Sequence, residues 1–150
     1  MGMKWYKFLI RFALFFAALT NFAEGLGYVT GVVYETETSG RVSAEMVYEM
    51  WGVGLKIADV LVGIALIGLA VFAIVVRNKL AKYKIEAPRC LNIYHFAFCS
   101  LKVAYSLIII GITGTNTMVS TAVSSCIQAV VLICINTKYF EKRKSMFLNT

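Results

Sequence analysis

From Val60 to Val76 no residue carries a polar side chain. A helix rises about 1.5 Å per residue and needs roughly 20 residues to cross about 30 Å of hydrocarbon, so this run is close to a complete membrane span. Three further stretches share its character. The apolar segments cover residues 8–34, broken by Arg11, Asn21 and Glu24; 52–76, which contains the run; 93–113, interrupted by Lys102; and 118–136. Hydrocarbon offers no partner to a backbone amide, so such segments must pair their N–H and C=O groups internally. Their lengths suit helices and exceed the roughly 9–11 residues of a barrel strand.

Composition agrees. Hydrophobic residues make up 59% of the 150 and charged ones 15%, where a soluble domain carries about 25% charged residues. A globule this small cannot cover so much apolar surface. The expected fold is an all-α membrane protein: a four-helix transmembrane bundle forming a single domain over 1–150. A cleaved leader is the competing reading of the N-terminus, because Lys4, Lys7 and Arg11 precede an apolar run. The sequence before Glu24, Asn21-Phe22-Ala23, is a poor cleavage pattern, and the first segment is expected to stay as a span.

The net charge of +7 is unevenly distributed. Basic residues gather in the N-terminal segment, in the middle connection (Arg77, Lys79, Lys82, Lys84, Arg89) and in the tail (Lys138, Lys142, Arg143, Lys144). The connection between the first two spans carries Glu35, Glu37, Glu45 and Glu49 against Arg41. This alternation follows the positive-inside rule and argues against a nucleic-acid footprint. It predicts both termini in the cytoplasm and a plasma-membrane location. Trp5 and Trp51 are expected as interfacial anchors, and Arg77, Lys79, Lys82 and Lys84 as contacts to anionic lipid at the cytoplasmic face. Ser43 is placed to cap a short extracellular amphipathic helix carrying Glu45 and Glu49 on its wet face.

Ionisable residues inside spans are costly and face the bundle interior or a partner. Counting from span midpoints, Lys102 and Gln128 fall near the midplane, with Glu24 about 5 Å and Asp59 about 8 Å towards the outside. The expectation is a buried polar cluster of Glu24, Asp59, Lys102 and Gln128, with Lys102 bonded to Asp59, to Glu24 or to both. Small and polar residues recur at helical spacing: Gly27-x-x-x-Gly31 in the first segment, Gly63 in the second, and Thr117, Thr121, Ser124 and Gln128 in the fourth. Stripes of this kind are what helix interfaces in lipid use. The cysteines Cys90, Cys99, Cys126 and Cys134 form no CxxC pair, and with His95 as the one histidine they propose no metal site. They are expected to serve as small packing residues.

No nucleophile–base pattern, HExxH, P-loop or dinucleotide fingerprint occurs, so no catalytic residue, enzyme activity or cofactor is expected. The leading expectation is a structural, interaction or accessory subunit, with a membrane-protein partner or a homo-oligomer. The alternative is a small-solute or proton-coupled transporter using Glu24, Asp59 and Lys102. The beginning Lys4-Trp5-Tyr6-Lys7-Phe8-Leu9-Ile10 and the end Ile135-Asn136, Tyr139-Phe140, Lys142-Arg143, Phe147 and Asn149 resemble a group of short four-span membrane proteins of Gram-positive bacteria. That resemblance implies a bacterial plasma membrane and carries over no site residue.

Overall fold

The computed structural model describes residues 4–147; Asn149 of the terminal pattern lies outside them. Among the described residues the chain is helical and contains no strand. The helices are α1 (Lys4–Thr30), α2 (Val32–Glu37), α3 (Ala44–Trp51), α4 (Val53–Ala81), α5 (Ala87–Thr113) and α6 (Val119–Glu141), followed by a 3₁₀ turn at Lys144–Met146. Four of them, α1, α4, α5 and α6, are long and apolar enough to cross a membrane. Large apolar side chains such as Phe12, Phe16, Leu61, Val71, Phe96 and Ile127 stand exposed around them, a surface compatible with a multi-pass membrane protein.

The helix limits differ from the apolar segments for identifiable reasons. The first segment breaks at Gly31, whose φ of 80° is left-handed and ends α1. Glycine alone adopts that conformation without cost, and the chain restarts as α2. At the other end, α4 continues through Arg77 and Lys79 to Ala81, where basic side chains suit a helix C-terminus. The next helix, α5, begins six residues after that end at Ala87, with Pro88 in its first turn, where its missing N–H costs nothing.

The four long helices pack in sequence order, α1 along α4, α4 against α5, and α5 against α6. Where α1 crosses α4, Gly25 and Gly63 face each other, and a Cβ built on either would lie 2.7 Å from the other's carbonyl oxygen. Gly63 therefore packs as the sequence suggested, but its partner is Gly25. Gly27 has only Val33 near it, and Gly31 meets Ala44 of α3.

Two apolar cores lie on either side of this crossing. One holds Tyr6, Leu14, Val76, Leu80, Leu91 and Phe140; its end of the bundle gathers the basic residues and is called the basic end. The other holds Tyr28, Leu55, Leu66, Tyr105 and Ile109 beneath α2 and α3. Within α1, residues Leu9–Ala13 form a π-helical turn. Such a turn loosens the regular carbonyl ladder, and the Arg77 Nε donates to Ile10 O at 2.8 Å. Arg77 thus commits its Nε to the protein's own backbone. Lys79 pairs with Glu86 at 2.6 Å, and Trp5 donates its indole N–H to Asn136 Oδ1 at 3.2 Å. Trp51 stays at the surface at the end of α3. Ser43 accepts from Met46 N and caps α3, whose inner face is Ala44, Val47 and Tyr48 while Glu45 and Glu49 point away.

Candidate polar site and cleft

Asp59 of α4 is completely buried, yet no lysine meets it. Three phenols do. Tyr34 of α2 and Tyr48 of α3 donate to Oδ2 at 2.6 and 3.0 Å, and Tyr105 of α5 donates to Oδ1 at 2.8 Å. One carboxylate so joins four helices, and three hydroxyl donors take the place of a counter-ion. Burial first, then the Asp59 charge, pushes the Tyr48 phenol up to about 12. Burial and the bond to Asp59 raise Tyr34 as well. Lys56, one turn earlier on α4, sits over the Tyr48 ring at 5.9 Å.

Lys102 makes its ion pair with Glu24, across α5 and α1. The lysine is buried and lies over the Phe98 ring at 5.5 Å, whereas the Glu24 side chain is 35% exposed. The two carboxylates that sequence placed around one lysine therefore belong to separate centres. One turn towards the basic end, Asn21 Nδ2 donates to the Tyr94 hydroxyl at 2.8 Å.

These α1–α5 contacts floor a cleft that α6 does not close. Two cavities mark it. The smaller, about 80 Å³, is lined by Glu24, Glu37, Lys102 and Thr121 among others. The larger, about 310 Å³, is lined by Thr20, Asn21, Tyr94, His95, Ser125 and Gln128 with several apolar residues. Gln128 accordingly belongs to the second cavity and not to the lining around Lys102. The His95 Nε2 is buried and has no hydrogen-bond partner among the described residues.

Helix α6 explains why the cleft stays polar. Its buried stripe is Ala122, Ser125, Ala129 and Asn136, small residues that let it approach α5 closely. The neighbouring stripe, Thr121, Ser124 and Gln128 with Thr117 in the turn before α6, is exposed, where sequence placed it at a helix interface. Cys99 of α5 and Cys126 of α6 meet along this seam with their Sγ atoms 2.9 Å apart.

The tyrosine cage has no local sequence signature, because its phenols, Tyr34, Tyr48 and Tyr105, come from three different helices. Tyr105, one turn after Lys102, was the available signal. Among the described residues no three His, Cys, Asp or Glu side chains come together as a metal site. The arrangement offers hydrogen bonding and charge in a laterally open groove. Compared with protein-family models, curated proteins and solved structures, the chain matches none.

Proposed function

We propose that the protein is a small four-span subunit of the plasma membrane, with both termini cytoplasmic, that acts by binding a partner's transmembrane helix in the α1–α5–α6 cleft. The basic end carries the positive-inside signal and the α2–α3 end the glutamates, which supports this orientation. The observation that carries the reading is the exposed stripe Thr117, Thr121, Ser124 and Gln128 beside the unpaired His95 Nε2. Polar groups facing hydrocarbon are costly unless a neighbour satisfies them. From Thr121 to Gln128 the helical part of the stripe extends about 10 Å, enough for two turns of an incoming helix.

A photo-crosslinker at Gln128, compared with one at Leu61 on the outer face of α4, tests this in intact cells. The expected result is a discrete adduct with another membrane protein at Gln128 only, lost in Thr121→Leu/Ser124→Leu chains that still fold. Equal labelling from both positions would sink the reading, and an adduct only with a second copy would replace the partner by self-association. Orientation is checked by an impermeant thiol reagent, which should label Ser39→Cys and not Ser145→Cys in whole cells.

The partial exposure of Glu24 in the same cleft favours a second reading, proton-coupled movement of a small solute. Vesicles holding the chain alone should then show pH-driven flux that Glu24→Gln abolishes.

A further inference from the structure

A cavity of about 540 Å³ lies away from the cleft, at the basic end between the start of α5 and the end of α6. Two amides line it with unused capacity. Asn136 is fully buried, and its Oδ1 is taken by the Trp5 indole, a donor only. That bond fixes the amide's orientation and leaves Nδ2 as a buried donor without a partner among the described residues. Asn92 donates through Nδ2 to Thr137, and its buried Oδ1 is an acceptor in the same condition. Buried polar atoms without partners are rare, and the two residues that carry them here both line this cavity, so a ligand hydroxyl that reached them could accept from one and donate to the other.

The charges around this pair are selective. Arg89, Lys144 and Glu141 line the cavity, leaving a positive excess. Three other cations at this end are engaged elsewhere: Lys79 with Glu86, Arg77 with Ile10 O, and Arg143 stacked at 3.9 Å on the Tyr139 ring. Ile85, Phe140 and Phe147 supply apolar walls.

We propose that this cavity seats the headgroup of an anionic phospholipid bearing a free hydroxyl, as a glycerol headgroup does. The phosphate lies between Arg89 and Lys144, where the guanidinium gives planar two-point recognition. The headgroup hydroxyl bridges Asn136 Nδ2 and Asn92 Oδ1, and acyl chains leave along Ile85. This inference rests on the chain's crossing a bilayer and is independent of the cleft.

The test is native mass spectrometry of the full chain in nanodiscs of phosphatidylcholine doped with phosphatidylglycerol or phosphatidylserine. Retention of one phosphatidylglycerol over phosphatidylcholine by at least about tenfold is expected, with phosphatidylserine weaker. Arg89→Gln and Lys144→Gln should each erase most of that preference. Glu141→Gln, which removes a repelling charge at an exposed position, should strengthen it. An equal loss on Lys82→Gln/Lys84→Gln, outside the lining, would reduce the effect to general surface charge and overturn the site. Binding of soluble glycerol phosphate as tight as the lipid would assign the cavity to a free phosphate ester and overturn the lipid assignment. A chain that enters the nanodisc and shows no preference sinks this inference alone; one that stays outside it sinks the membrane reading too.

Discussion

Gly25 and Gly63 bring α1 and α4 so close that each glycine's carbonyl oxygen occupies the space where the other's side chain would begin, 2.7 Å from the built Cβ. The obstacle is backbone on both sides, so a methyl group can be accommodated only by moving the helices apart. Gly63→Ala should cost about 1–3 kcal/mol, the usual penalty of overpacking. Gly27→Ala meets nothing closer than Val33 Cβ at 3.7 Å and should be neutral or gain up to about 1 kcal/mol from helix propensity. Thermal denaturation of the two variants in detergent checks the contrast, and equal melting temperatures would contradict the crossing.

The separation of the two carboxylates makes a second prediction, readable by double-mutant cycles. Lys102→Met and Glu24→Gln remove partners of one ion pair and should couple by about 1–2 kcal/mol, less than a fully buried pair because Glu24 is 35% exposed. Lys102→Met and Asp59→Asn act on different centres and should add to within about 0.5 kcal/mol. Strong coupling of Lys102 to Asp59 would restore the single cluster that spacing alone allowed.

Those centres show where the sequence was legible. The four long helices followed from apolar length, because hydrocarbon leaves the backbone few alternatives. Rise per residue brings Lys102 near the level of Glu24 and Asp59, and the structure pairs it with Glu24. Rotation about each axis was not legible. One residue along a helix turns about 100°, and that step separates the buried Ala122–Ser125–Ala129 stripe from the exposed Thr121–Ser124–Gln128 stripe on α6. The Asp59 cage needed the break at Gly31 to fold α2 back and bring Tyr34 to Asp59, a tertiary event that no local pattern encodes. The same break explains why Gly31 could not act as a straight-helix packing glycine beside Gly27.

The cage also has a signature in alkali. Tyr48 ionises at about 12 in the folded chain, above its ordinary value of 10.0, with burial and the Asp59 charge as the causes. A raised folded value means that its contribution to stability is complete below pH 10 and falls as pH rises towards about 12. The difference between wild-type and Tyr48→Phe chains in phenolate absorbance should therefore titrate near 12, and Asp59→Asn should bring it down by removing the charge. A wild-type Tyr48 titrating near 10 would place this phenol away from the carboxylate.

Cys99 and Cys126 test the α5–α6 seam independently of any electrostatics. Their Sγ atoms lie 2.9 Å apart across two helices, close enough for oxidation to be expected to join them. In a Cys90→Ser/Cys134→Ser chain only this pair remains. Copper–phenanthroline, which accepts the two electrons while the two thiols release their protons, should convert it to one intramolecular disulfide that consumes both thiols. The closed loop spans the connection between α5 and α6, and constraining it should raise stability by about 3–4 kcal/mol on the chain-entropy account. Glu24, Asp59 and their partners are untouched by this reaction, so a loss of both thiols with a higher melting temperature reports the seam alone. Persistent labelling of both thiols by maleimide after oxidation would show that α6 is rotated relative to α5, and the exposed Thr121–Ser124–Gln128 stripe would have to be reassigned with it.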